Sequence, residues 1–325
     1  MQQTLFPALH KVAATLYFHH YTVQLRAQED CTIDYFIGDM LRDSFLYACS
    51  RVMVKKGRKE ITLFELLDSH HYQTAAALAA SGCKNKRKGF ALDISPVAKE
   101  KYRAGEVLSF GIVLMGKHNQ QLPAVLQALQ LMAKKGIGRG KLKFSLYSFS
   151  ETNISGPGRL LYRYKKPAEA IVAAHPIRLT DFAAAHARKE WLQVNYLSPT
   201  MFDDRGHLTG SYSFKTLLQK TISRIADAAL LYAGATAAQY KAAQAETEAY
   251  LQQTAMPVRV AELQWHELPL PGGKRNEALL LRGHTGRMVY TGKFNFYLDV
   301  LLLAQWLQTG DNTTYGFGKI SVEYE

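Results

Sequence analysis

One order of elements occurs twice along this chain, and that duplication constrains the fold more than any other feature. Residues 122–133, LPAVLQALQLMA, place Leu122, Val125, Leu126, Leu129 and Met132 on one helical face. A glycine-rich basic loop, KKGIGRGK at 134–141, follows, and then a strand in which Leu142, Phe144 and Leu146 alternate with Lys141, Lys143 and Ser145. Near the other end, FYLDVLLLAQWLQ at 296–308 reads as an apolar helix, TGDNTTYGFGK at 309–319 as a loop, and ISVEY as a strand with Ile320, Val322 and Tyr324 on one face. Each copy has a β-rich run upstream, at 107–116 and 278–294, and each half opens with a strand, at 15–25 and 191–197, followed by a helix, at 36–53 and 213–233. An order βα…βαβ in both halves predicts two split βαβ units, each a helix-covered antiparallel sheet.

The α+β class follows: tandem ferredoxin-like βαββαβ domains. The expected boundaries are 1–165 for the first domain, 166–186 for a crossover linker, and 187–325 for the second, because Gly156, Pro157, Gly158, Pro167 and Pro176 cluster around the crossover. The Ala-rich run at 226–249 reads as helix with a break near Gly234. No apolar run is long enough to span a bilayer, and the first residues lack the pattern of a signal peptide, so a cytoplasmic location and no membrane partner are expected. Three cysteines without CxxC spacing make a disulfide framework or a zinc site a poor fit.

Charge narrows the partner. Lys and Arg total 40 against 27 acids, a formal net charge of +13, which favours a polyanion. The 18 Tyr and 15 Phe add rings able to stack on unpaired bases, although most such rings belong in cores. Gly136, Gly138 and Gly140 lie among Lys134, Lys135, Arg139 and Lys141, where backbone N–H groups could approach phosphate; a helix end and turn before a strand would use the same glycines. Arg282, His284, Arg287 and Lys293 form a second basic group, with Arg282 and His284 on one face of a strand. KKGRK at 55–59 and KNKRK at 84–88 are further basic runs.

Taken together, GDNTTYGFG at 310–318 leading into KISVEY, with YRAGEVLSFGIVLMG (102–116), KKGIGRGKLKFSLYSF (134–149), LQVNYLSPTMF (192–202), RGHTGRMVY (282–290) and IGDMLRDSFLYAC (37–49), resemble the RAMP superfamily of CRISPR proteins. Within it the chain is most similar to the sixth Cas family, the endoribonucleases that mature CRISPR RNA. The resemblance implies two RRM-like domains facing each other across a basic cleft. It also implies contact with CRISPR repeat RNA by Lys135, Gly136, Gly138, Arg139, Lys141, Arg282, His284, Arg287, Gly310, Gly316, Gly318 and Lys319. Other Cas proteins and a second copy of the chain are the further expected partners, with no cofactor and no metal.

Cleavage in such a family implies attack by the RNA's own 2′-hydroxyl, which requires a base, an acid and a cation beside the phosphate. The first helix here holds no histidine, a departure from the family. The expected base is therefore His70 or His71, with Tyr35 at the helix start as acid or orienter and Lys55 or Lys56 as the cation. A histidine pair capping a helix C-terminus is the alternative for 70–71. His19 and His20 form a rival pair on opposite faces of the first strand, and His284 is a third candidate. A non-catalytic RNA-binding subunit of an effector complex is the competing function; a DNA-binding regulator fits poorly, with no helix-turn-helix or zinc pattern.

Overall fold

A computed structural model describes residues 7–33, 37–68, 79, 88–94, 100–166, 171–185, 190–202, 212–252, 256–270, 279–292, 294 and 297–325. In chain order its helices are α1 (Pro7–Thr15), α2 (Gly38–Cys49), α3 (Leu63–Asp68), α4 (Leu122–Lys135), α5 (Phe214–Tyr232), α6 (Ala237–Leu251) and α7 (Leu298–Leu307). The strands of the first sheet region are β1 (Phe18–Ala27), β2 (Cys31–Thr32), β3 (Met53–Lys56), β4 (Lys59–Thr62), β5 (Phe90–Asp93), β6 (Lys101–Tyr102), β7 (Val107–Met115), β8 (Phe144–Glu151) and β9 (Arg159–Arg163). Those of the second are β10 (Trp191–Thr200), β11 (Val258–Leu270), β12 (Leu279–Thr291) and β13 (Ile320–Tyr324). The chain divides into two compact units: residues 17–74 with 84–177, and residues 1–16 with 75–83 and 178–325.

In the unit built on residues 17–177 the sheet order is β5-β7-β1-β8-β9, every pairing antiparallel. Without the appended β9 this is the ferredoxin-like arrangement of a split βαβ pair, with α2 and α4 as the crossovers. Tyr21, Val23 and Leu25 of β1 are fully buried in a core that also takes Leu41 and Phe45 of α2 and Val125, Leu129 and Met132 of α4. Thr22, Gln24 and Arg26 alternate onto the other face. Helix α4 starts with a proline in its first turn, where no intrahelical donor is lost, and ends at Gly136, whose φ of 89° suits glycine. The basic run at 55–59 is a hairpin, β3 and β4 turning at Gly57, and α2 stops at Cys49 instead of reaching 53 because Val52 and Val54 leave the helix to pack in the core.

The other unit repeats the plan with order β11-β12-β10-β13, and α5 and α7 as crossovers. Helix α5 is capped by Ser213, whose hydroxyl accepts from the Thr216 N–H at 3.1 Å. The expected break near Gly234 separates α5 from α6, which starts with a capping box of Thr236 and Gln239. Tyr240, Ala243, Thr247 and Leu251 give α6 its buried stripe. Helix α1 belongs to this unit: the Glu246 carboxylate of α6 accepts from the backbone N–H of Ala8 (3.2 Å) and Leu9 (2.9 Å), an anion at a helix N-terminus. No described helix is long and apolar enough to cross a membrane.

Candidate functional site

The chemistry-bearing residues of the second unit converge at the C-terminal end of β10. The β12 register sets His284 opposite Trp265 of β11 and Thr200 of β10. The imidazole lies 4.6 Å from the Trp265 ring and 4.7 Å from the Tyr212 ring, centroid to centroid. The Tyr212 hydroxyl donates to the Thr200 carbonyl at 2.7 Å. Its single proton is thereby used, so His284 Nδ1, 2.7 Å from the same oxygen, must be the donor. That relay fixes the Nδ1–H tautomer and leaves the Nε2 lone pair as the acceptor. Burial lowers the His284 pKa below the ordinary histidine value, and the nearby His266 lowers it further. The ring is therefore neutral at neutral pH, as a general base must be. His266 is itself tied to the Thr285 hydroxyl at 2.7 Å.

The glycine loop at 310–318 braces this corner. Asp311 N–H donates to the Met201 carbonyl (3.1 Å), Gly318 N–H to Pro199 (3.1 Å), and Lys319 N–H to the Ser198 hydroxyl (2.9 Å). Gly310 has φ 71°, and a side chain there would meet the Met201 carbonyl 2.5 Å away; Gly318 has φ 80° and presses on the backbone of Thr309. Phe317 between the glycines is fully buried, and Gly316 N–H bonds to Thr313. The backbone donors of Gly316, Gly318 and Lys319 are thus committed within the protein, and the loop shapes the end of β10.

Arg282 and Arg287 each face a carboxylate. Arg282 Nε lies 3.0 Å from Glu267 Oε1, and Arg287 makes a bidentate pair with Glu262 at 2.7 and 2.9 Å. Both pairs are open to solvent, so each holds its partner only weakly. The Arg287 guanidinium keeps the Glu262 carboxyl below the usual range.

In the first unit the other glycine loop is built as a tight turn. Ile137 and Leu142 exchange backbone hydrogen bonds at 3.0 Å, and Gly138 N–H donates to the Ser44 hydroxyl at 2.9 Å. Around it opens a groove of about 520 Å³ edged by Lys134, Lys135, Lys141 and Lys143, with Tyr162 and Tyr164 in its wall. Lys143 pairs with Glu29 at 3.1 Å. Arg139 lies in the same turn.

The rival histidines are buried, at 5% and 7% exposure for His19 and His20. His19 Nδ1 meets Glu151 at 2.6 Å, and Glu151 also accepts from the Ala174 and His175 N–H groups. His20 uses both ring nitrogens, on Asp93 and Thr152, each at 2.8 Å. Of the residues expected to catalyse, His70, His71 and Tyr35 lie outside the described residues. Lys55 is exposed on β3, across from Glu60. The structure brings His284 and the 310–318 loop together, and it adds Tyr212, Thr200, Trp265 and His266, none of which was singled out in the sequence. WHE at 265–267 faces RGH at 282–284 only through the β11–β12 register, and the link to Tyr212, 72 residues from His284, has no local sequence signal.

Two family models match the chain. Residues 16–176 match one described as an N-terminal domain, and residues 194–320 match one described as CRISPR-associated endoribonuclease Cas6. Residues 194–320 thus carry the match to the Cas6 endoribonuclease family. No curated protein matches the chain. Among solved structures, a Cas6 product complex is similar over 94% of this chain and 99% of that one, with 15% identity and a TM-score of 0.54. Thermus thermophilus Cas6 gives 95%, 99%, 14% and 0.52 in the same terms. A partial Cas6-RT-Cas1–Cas2 complex is similar over 99% of this chain with 14% identity and a TM-score of 0.60, although the chain spans only 47% of that neighbour. At such identities the likeness is one of fold, and it agrees with the two ferredoxin-like units of this chain.

Proposed function

We propose that the chain cleaves CRISPR repeat RNA to mature guide RNA without a metal, by attack of a 2′-hydroxyl on the adjacent phosphorus. The O2′–P bond forms and the P–O5′ bond breaks. A base takes the 2′-hydroxyl proton, and an acid gives one to the departing 5′-oxygen. The ends are a 2′,3′-cyclic phosphate and a 5′-hydroxyl. What supports this reading best is the state of His284: neutral, held by Tyr212 in one tautomer, with Nε2 left to accept a proton. We assign it the role of base. The competing assignment gives that role to His70 or His71, with Tyr35 as acid and Lys55 as phosphate cation. Lys135, Arg139 and Lys141 on the first glycine loop, with Arg282 and Arg287, supply charge to the RNA backbone. The likeness to a Cas6-RT-Cas1–Cas2 complex supports other Cas proteins as partners.

The test is incubation of the purified protein with labelled repeat RNA in EDTA, repeated with a 2′-deoxy sugar at the cut site. Cleavage that only the deoxy sugar blocks is expected. Tight binding without a cut would identify a non-catalytic RNA-binding subunit. Alanine at His284, His70 and His71 in turn then locates the base: the His284 variant should lose cleavage and keep binding. Full activity in that variant, with loss at His70 or His71, would move the base to the first unit.

A further inference from the structure

The sheet face of the first unit that turns away from α2 and α4 carries an arginine–tyrosine cluster. Opposite Gln24 and Leu25, β8 has a bulge in which Tyr147 is the extra residue. The bulge lets Tyr147 share a face with its neighbour Ser148, whose hydroxyl donates to Gln24 at 2.6 Å. On β1 the same face presents Arg26, whose guanidinium lies 3.9 Å from the centre of the Tyr147 ring. On β9, in register with Ser148, Arg163 stands 5.9 Å from that centre and donates to the Tyr147 hydroxyl at 3.4 Å. Among the described residues no carboxylate pairs with either arginine, unlike Arg282 and Arg287 in the other unit. The two positive charges also hold the Tyr147 hydroxyl pKa below its usual value, Arg163 more than Arg26.

Two uncompensated guanidiniums on one sheet face repel each other and invite an anion. A bare phosphate would need only the arginines. The half-buried ring between them adds a π surface, the combination that holds a nucleotide by its phosphate and its base together. We infer that Arg26, Tyr147 and Arg163 form a subsite for one unpaired nucleotide of the RNA, with the base against Tyr147 and the phosphate on the arginines. A paired base cannot present its face to the ring, so the nucleotide comes from a single-stranded part of the repeat. The inference rests on the reading of the chain as an RNA-processing protein.

The experiment is equilibrium binding of a labelled repeat RNA to the full chain over a range of KCl concentrations, for the wild type and for Tyr147→Ala, Tyr147→Phe and Arg163→Gln, with melting curves alongside. Tyr147→Ala should weaken binding by roughly tenfold, the usual size of one lost base stack, while Tyr147→Phe stays near wild type. Arg163→Gln should reduce the slope of log affinity against log salt by about 0.7, one single-strand phosphate contact. A structural role alone would leave that slope unchanged. With 4-thiouridine in the unpaired part of the repeat, photocross-links should map to the peptide containing Tyr147. Unchanged affinity in a folded Tyr147→Ala, an unchanged slope in Arg163→Gln, or cross-links confined to other peptides would each overturn the subsite. Should wild type bind and cut while all three variants behave like it, only this inference falls; if wild type ignores RNA, the proposed function falls with it.

Discussion

Single side chains carry the sharpest consequences. If His284 is the base, cleavage depends on its unprotonated form. Its pKa lies below the ordinary value, so the rate should be level at neutral pH and fall only as the pH drops through that lowered pKa. A pH–rate profile checks this. Removing the Tyr212 hydroxyl by Tyr212→Phe frees the second tautomer and leaves the Thr200 carbonyl without its donor. We expect slower cleavage and a stability loss of about 1–3 kcal/mol in urea unfolding. His118 makes a separate prediction. It is fully buried against Gly89, and burial holds its pKa down at about 3. An unfolded histidine titrates near ~6.5, so the unfolded chain gains a proton that the folded one refuses. The stability contributed by this group is complete above ~6.5 and declines as the pH falls from there towards about 3, by an amount on the order of a few kcal/mol. His118→Phe should flatten that part of the curve of urea midpoint against pH.

At the level of elements, the α1 contact gives a direct measurement. Glu246→Gln removes the charge that holds two N-terminal donors of α1 and should cost about 1 kcal/mol, read from the thermal midpoint. The elements most legible in the sequence were those whose own pattern decides them. Helix α4 has five apolar residues on one face, a proline at its start and a glycine at its end, and β7, β12 and β13 have β-rich or alternating runs. Strand β5 was not legible: four residues, Phe90–Asp93, are too few to show a period, and only their pairing with β7 makes them a strand. Strand β11 mixes charged, apolar and proline residues, and its partner β12 supplies the order. The candidate site was legible in part for the same reason. The 310–318 glycines announce a loop, but the relay from Thr200 through Tyr212 to His284 joins three distant segments, and no local pattern encodes it.

At the scale of the whole molecule, the formal charge of +13 should make RNA affinity fall steeply with salt, by about 0.7 in log–log slope for every single-strand phosphate contacted. A flat salt response in filter binding would contradict a charge-led interface. The grouping of α1 with the last half of the chain has a different consequence, one for biosynthesis. Leu9, Val12 and Ala13 of α1 are buried in the finished protein, yet their partner helix α6 lies some 238 residues further along. On the ribosome the residues 17–177 that form most of the intervening unit can collapse as soon as they emerge, while α1 must wait, its apolar side uncovered, until synthesis has passed Leu251 at the end of α6. A nascent-chain chaperone that recognises short apolar helices would find its opening there.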